Sequence, residues 1–209
     1  SKRSMAEVIS EKQRQLNKNL HAENENFGNR SEGAGLGTNL PTTLMLMQKL
    51  GVCNSILDYG CGKGKLVQRL SKELPDSIKV SGYDPAIEEY ESHPEEPADI
   101  VMCLDVLEHI EMQSIDAVLN DIKLLTRRFC YLVIDLQLAC KWLDDGRNAH
   151  ILLAPSEWWS GRIAQIFPCH ATFPINHKCG LPQKLIIAGA KDTRVVPLMF
   201  SFLMKLQLF

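Results

Sequence analysis

Three alternating glycines, Gly60, Gly62 and Gly64, follow directly on the apolar run Ile56-Leu57, with Asp58 two places ahead of the first. A loop without Cβ atoms lets a ligand approach the backbone, and glycine tolerates the positive φ that a strand-to-helix turn demands. A second apolar run, Ile78-Lys79-Val80-Ser81-Gly82-Tyr83, ends in Asp84 and Pro85, twenty residues past Gly64. Where two such strands are neighbours in a doubly wound sheet, a carboxylate at the second strand's end can accept hydrogen bonds from ribose hydroxyls. The two runs together read as a nucleoside-cofactor site. A dinucleotide fingerprint spaces its glycines G-x-G-x-x-G, whereas the order here is acid-x-G-x-G-x-G. An acid at Asp58 suits a cofactor with an ammonium group and would repel a pyrophosphate.

A third apolar run, Ala98 to Leu104, leads into Asp105-Val106-Leu107-Glu108-His109. In a helical turn, positions i, i+3 and i+4 share one face. Two carboxylates and an imidazole on one face can run a proton transfer or ligate a divalent metal. His150, beyond the next strand, can join them. A histidine has a pKa near neutrality, so His109 or His150 is read as general base, with Glu108 and Asp105 as acid/base or positioning groups. No metal is assigned. The segment Asp144-Asp145-Gly146-Arg147-Asn148-Ala149-His150 is polar enough to hydrogen-bond a sugar-like acceptor. Trp142, Trp158 and Trp159 could stack on a sugar or base, with core packing the competing role. Arg147 could pair with an anionic group or with Asp144. His93, His170 and His177 read as surface or packing residues, Cys61 as a small filler, and His21 as a residue that an N-terminal arm could carry to the pocket.

The elements that must position these groups alternate in type. Strands are expected at 55–59, 78–84, 99–104 and 129–135, with helices at 42–50, 63–73 and 113–126 and a short helix after Pro85. Such alternation argues a parallel sheet with right-handed crossovers. Only 14 residues, 85 to 98, separate the second strand from the next, so one strand of a full doubly wound sheet is expected to be reduced or missing. Beyond 135 come an irregular stretch to Pro155, a helix near 156–167, and extended segments 169–175 and 183–190 flanking the turn Asn176 to Gly180. The expected division is an N-terminal arm, 1–40, helical over 5–20 and flexible over 28–38; a catalytic domain, 41–194; and an apolar C-terminal helix or tail, 195–209. That tail is too short for a bilayer core and is expected to pack on the domain or on a second copy, with membrane-surface contact the minor alternative.

The bulk numbers narrow the class. A net charge of −2 sets up no global field for nucleic acid, which lowers that option without removing it. Seven cysteines include no C-x-x-C pair and read as reduced thiols of a cytoplasmic protein. Ser1-Lys2-Arg3-Ser4 leads into a polar stretch without the apolar core of a signal peptide.

The acid-x-G-x-G-x-G string, the acid at Asp84 and the D-V-L-E-H string at 105–109 together resemble the class I S-adenosylmethionine-dependent methyltransferases, closely over about residues 50 to 135. The resemblance implies a Rossmann-like, mostly parallel sheet ending in an antiparallel strand pair. It also implies S-adenosylmethionine as cofactor, with S-adenosylhomocysteine as product. The cofactor-binding residues would be Asp58, Gly60, Cys61, Gly62, Gly64, Asp84, Pro85, Cys103, Leu104 and Asp105. Asp58 would serve the amino-acid end, Asp84 the ribose, and the backbone at Cys103 and Leu104 the ammonium. The strand that usually supplies the adenine pocket is the one in doubt, and such an N-terminal arm can close over the cofactor. Asp105, Glu108, His109 and His150 also resemble the Glu-Glu-His-His metal site of small-RNA 2'-O-methyltransferases, with Asp105 in place of the first Glu. The same D-V-L-E-H string resembles metal-free enzymes of the ubiquinone-biosynthesis type. The expected reaction is methyl transfer to an oxygen or nitrogen of a small polar, conceivably saccharide, acceptor. The alternatives are metal-assisted RNA ribose methylation and a non-catalytic binding subunit.

Overall fold

The computed structural model describes residues 9–24, 36, 39–176, 182–206 and 208. The expected arm segments 5–8 and 28–35, most of the turn after Asn176 and His177 within it lie outside these residues. Six strands form one sheet: β1 (Ser55–Tyr59), β2 (Lys79–Tyr83), β3 (Ala98–Leu104), β4 (Thr126–Asp135), β5 (Cys169–Asn176) and β6 (Pro182–Ala190), in the order β2-β1-β3-β4-β6-β5. β1 to β4 run parallel, and β6 is antiparallel to both β4 and β5. This is the expected Rossmann-like mixed sheet. β2 is an edge strand among the described residues. The segment between β2 and β3 holds only a short 3-10 turn, Glu88–Tyr90, so the strand in doubt is absent there.

Helices cover both faces. α1 (Glu11–Glu23) is the arm, α2 (Leu40–Lys49) precedes the sheet, and α3 (Lys65–Glu73) follows the glycine loop. α4 (Ile115–Leu125), α5 (Ser156–Ile166) and α6 (Val196–Lys205) complete the set. The strands explain the two-sided cover. All seven residues of β3 are buried, the continuous apolar pattern of a parallel strand covered on both faces. In β1, Ile56 enters the core beneath α2, α3 and α6, while Leu57 and Tyr59 enter the opposite core beneath α4 and α5, as a period of two requires. In α4, Ile115, Val118, Leu119 and Ile122 fall on one buried face, the spacing of an amphipathic helix.

Two buried acids stitch loops to this frame. Asp99 accepts the backbone N–H of Asn54 at 2.7 Å and pairs with Arg127 at 3.2 Å. Asp121 accepts from the Tyr59 hydroxyl at 2.8 Å and pairs with His93 at 3.0 Å, so His93 is a packing residue. No described helix is long and apolar enough to cross a membrane.

The apolar C-terminal segment forms α6, which buries Met199, Phe202 and Leu203 on the domain. Phe202 meets the rings of Phe129 at 5.2 Å and Tyr131 at 5.5 Å. Phe202→Ala is therefore expected to cost about 3–5 kcal/mol, the range for truncating a buried phenylalanine. Urea denaturation checks this, and a loss below about 1 kcal/mol would show that α6 is not part of the cooperative core.

Candidate active site

All parallel strands end on one edge of the sheet, and the loops leaving that edge build the site. The glycine loop is tied to the end of β2 by its own backbone: Gly60 N–H and Cys61 N–H both donate to the Tyr83 carbonyl, at 2.7 and 3.1 Å. Asp84 completes the tie. Its Oδ2 accepts from Gly62 N–H and its Oδ1 from Ala86 N–H, each at 2.9 Å. Each carboxylate oxygen can accept two bonds, so among the described residues one acceptor position on each oxygen is open.

The glycines are needed for space. Gly60, Gly62 and Gly64 all have positive φ, at 77°, 55° and 76°. A Cβ at Gly60 would lie 2.4 Å from Val106 Cγ2, and one at Gly64 would lie 2.2 Å from the Tyr90 hydroxyl oxygen. Gly64 also caps α3 in a left-handed conformation with no side-chain cap. Asp58 is buried at the end of β1, and Cys61, Cys103 and Leu104 are buried beside it on the loop and on β3. Burial pushes the Cys61 thiol well above the ordinary range for a thiol, which suits a filler and not a nucleophile. Pro85 is engaged through its carbonyl, which accepts from Arg14 of α1 at 3.2 Å.

The Asp105–His109 segment is a left-handed corner followed by a 3-10 turn at Leu107–His109. Among the described residues Asp105 alone of the non-glycines has positive φ, at 55°. Glu108, His109 and His150 come together, each offering one ligand atom within 4.8 Å of the others. His109 Nδ1 is 2.8 Å from the Ala149 carbonyl, so Nδ1 carries the proton and the lone pair sits on Nε2. The His109 and His150 rings meet edge to face at 4.9 Å. Burial and the neighbouring His150 lower His109 to about 3, so His109 stays neutral and is a weak base. Glu108 is fully buried. Its Oε1 accepts from Asp135 N–H at 3.3 Å, while its Oε2 has no hydrogen-bond partner among the described residues. Burial raises its carboxyl to about 8.

Asp105 is not part of the histidine cluster. Its carboxylate pairs at 2.7 Å with Lys184, which also lies 3.4 Å from Asp135. Asp105, Glu108 and Asp135 form a second cluster. Neither Lys184 nor Asp135 stands out in the sequence as a site residue. The one available signal is a lysine opening the otherwise apolar run Leu185-Ile186-Ile187, and an aspartate ending an apolar strand.

The acceptor-loop expectations divide. Trp159 is fully buried in the core, and Trp158 is covered by the Arg162 guanidinium at 4.5 Å. Trp159 is thereby taken out of any stacking role by core packing, Trp158 is half-buried with one ring face covered, and Trp142 remains exposed. Arg147 pairs with Asp145 at 2.8 Å instead of Asp144, and it also reaches Gln13 of α1 at 2.9 Å. Asp144 accepts from Asn19 of the same helix at 2.9 Å. The arm thus lies between the two halves of the site. Lys63 of the glycine loop donates to the Asn24 carbonyl at 2.9 Å, and Lys141 donates to the Asn24 side chain at 2.8 Å. His21, at the end of α1, is buried and lies near enough to His109 to bear on it electrostatically.

A sequence family described as "Methyltransferase domain" matches residues 10–172. Among solved structures the fold is similar to magnesium protoporphyrin IX methyltransferase (ChlM) from Synechocystis PCC 6803 with bound SAH, at 13% identity over 86% of this chain and 97% of that one, with a TM-score of 0.55. It is also similar to the DhpI–SAH complex, at 16% identity over 85% and 94% of the two chains and a TM-score of 0.52. An O-methyltransferase family protein from Burkholderia thailandensis, at 12% identity over 86% and 71%, gives 0.51. Likeness at these identities is one of fold. No curated protein matches the chain significantly.

The buried carboxyl of Glu108 has a consequence for stability. The folded protein holds this proton up to about pH 8, whereas an unfolded glutamate releases it near 4.3. Between these values the unfolded state binds fewer protons, so stability falls as pH rises, on the order of 1 kcal/mol per pH unit. Glu108→Gln keeps the shape without the ionisation and should flatten that fall. Urea midpoints at pH 6 and pH 9 read the difference, and a wild-type midpoint that drops no further than the variant's would mean Glu108 is ionised in the fold.

Proposed function

We propose that this chain, which belongs to the methyltransferase domain family, transfers a methyl group from S-adenosylmethionine to an oxygen or nitrogen of a small polar acceptor. The observation that carries the cofactor assignment is the join between Asp84 and the glycine loop. A buried carboxylate, held by Gly62 N–H with acceptor positions to spare, sits beside a loop whose Cβ positions are already taken by Val106 and Tyr90. These residues fit a ribose and an amino-acid chain laid along the backbone. Gly60, Cys61, Gly62 and Gly64 would line that chain, and Asp58 with the backbone at Cys103 and Leu104 would receive its ammonium. The bound forms of ChlM and DhpI, both with SAH, support the same reading.

S-adenosylmethionine supplies an electrophilic methyl on a sulfonium. What remains for the protein is to hold the acceptor in line, exclude water and take a proton. The Glu108–His109–His150 cluster lies one turn beyond the end of β3, where those tasks meet. Glu108, with its carboxyl near 8, is a far stronger base than His109 once ionised, and a base poised near the working pH is the effective one. His109 is too weak a base for the proton and serves to orient the acceptor; His150 links the cluster to the loop at 144–150. Trp142, exposed beside that loop, would offer a ring face to a hydroxyl-rich acceptor such as a saccharide.

One observation favours a second reading, metal-assisted methylation of an RNA ribose: Glu108, His109 and His150 are spaced for a divalent ion. The pairing of Asp105 with Lys184 weighs against a four-residue ligand set, and the net charge of −2 supplies no global attraction for RNA.

The test uses purified protein, tritiated-methyl S-adenosylmethionine and an extract from the protein's own source. Label in ribonuclease-indifferent small molecules or glycans, insensitive to EDTA, is the expected result; label released only by ribonuclease and abolished by EDTA would move the assignment to the second reading. Asp84→Asn should weaken SAH binding in calorimetry by at least about tenfold, the loss of one charge-assisted hydrogen bond of roughly 1.5–3 kcal/mol. Unchanged affinity would remove Asp84 from the cofactor site.

A further inference from the structure

The cluster of Asp105, Glu108 and Asp135 has a lysine in its midst, and that lysine comes from β6, the strand next to β4. β6 runs antiparallel to β4 with Lys184 directly opposite Asp135. This register brings the Lys184 ammonium to 2.7 Å from Asp105 and 3.4 Å from Asp135. Lys184 is buried, and a buried ammonium is retained only where its charge is compensated. Asp105 is also the one described non-glycine residue in the left-handed region. A side chain there is strained, and such strain persists only where the surroundings over-determine it. The surroundings include two contacts: Asp105 N–H donates to the Val133 carbonyl at 2.8 Å, and Asp105 Oδ1 meets Lys184. The corner they hold sets the direction of the turn that carries Glu108 and His109, and it places Val106 against Gly60.

We propose that Lys184 is a positioning residue for methyl transfer: its ammonium, seated between Asp105 and Asp135, locks the left-handed corner from which Glu108 and His109 reach the acceptor. The inference rests on the functional reading above for the roles of Glu108 and His109. Lys184 itself touches neither the acceptor nor the methyl group. It acts on the reaction only through the geometry of residues 105–109.

Hydrogen exchange and methyl transfer together test it. In Lys184→Met, amide exchange over residues 104–110 should rise on the order of tenfold as the left-handed corner loses its clamp, while residues 55–83 keep their wild-type protection. Transfer of tritiated methyl to the extract's small-molecule fraction should fall on the order of tenfold in kcat, with the KM for S-adenosylmethionine within about twofold. Lys184→Arg should retain most of the wild-type protection. Adding Asp105→Gly to Lys184→Met should restore protection over 104–110, because glycine takes positive φ without a clamp. Unchanged exchange over 104–110, a rise spread evenly over the chain, or failure of the glycine to suppress it would each overturn the inference. A wild-type protein that binds SAH but transfers no label would overturn the functional reading instead, and the exchange experiment would still decide whether Lys184 clamps the corner.

Discussion

The tie between the end of β2 and the loop leaving β1 is the constraint on which the site depends. Three backbone amides of the loop, from Gly60, Cys61 and Gly62, are spent on the Tyr83 carbonyl and the Asp84 carboxylate. Those bonds require β1 and β2 to be neighbours and parallel, with Tyr59 level with Tyr83. A one-residue slip would turn every side chain of the strand to the other face and would carry Asp84 away from the loop. The register is secured well below the site by the division of Ile56 and Leu57 between two cores. Packing therefore fixes the register, the register brings the carboxylate to the amides, and the amides hold the loop in a shape only glycine can take.

A different economy governs the other half of the edge. There, charge is buried instead of backbone being bent. Asp105, Glu108 and Asp135 bring three carboxyls within ligand distance of one another, and three negative charges in one partly desolvated site would be strongly unfavourable. Two devices reduce the cost. Lys184 supplies one positive charge, and Glu108, deepest of the three, keeps its proton past neutrality. His109 follows the same rule with the opposite sign, since burial holds it neutral. Only the exposed end of the system, the loop at 144–150, carries ordinary surface charge. Glu108 and His109 are thus groups whose protonation the fold has already displaced, as is common where proton transfer is done.

Much of this was legible in the sequence, and the division follows the range of the interactions. The glycine loop, the two strand-end acids and the D-V-L-E-H turn are local strings, and β1 spans 55–59 as its apolar run and following glycines require. The missing strand after β2 was legible too, because a chain length of 14 residues is a geometric limit. What escaped was long-range. Lys184 lies 79 positions from Asp105, and nothing local announces that β6 inserts between β4 and β5. Trp158 and Trp159 were ambiguous for the same reason: a helix start rich in aromatics fits a lid or a core equally well until α5 is seen packed on the sheet. Of the partners open to Arg147 in the sequence, an anionic group or Asp144, the fold selects the neighbouring carboxylate Asp145, because Asn19 of α1 has bonded Asp144.

The arm shows how magnitudes decide what holds an element in place. α1 has 13 residues, a length at which an isolated helix is marginal in water, so its order comes from docking. Many of its links to the domain are polar: Arg14 to Pro85, Gln13 to Arg147, Asn19 to Asp144, Asn24 to Lys63 and Lys141. Hydrogen bonds of this kind, part-buried except for Asn19 to Asp144, contribute roughly 0.5–1.5 kcal/mol each. The apolar anchors are few but larger. Ile9 is buried against the core that holds Tyr59 and Tyr83, and Leu20 against Leu143 and Ala149, each worth roughly 1.5–3 kcal/mol. Ile9 thus fastens the start of the arm to the core beneath α4 and α5 and Leu20 fastens its end beside the loop at 144–150, while the polar links set its register between them. Because one short helix meets the glycine-loop side through Arg14 and Asn24 and the loop at 144–150 through Gln13, Asn19 and Leu20, loosening either set of contacts weakens what keeps the helix folded. The two halves of the edge are therefore joined through the stability of α1 as well as through the sheet.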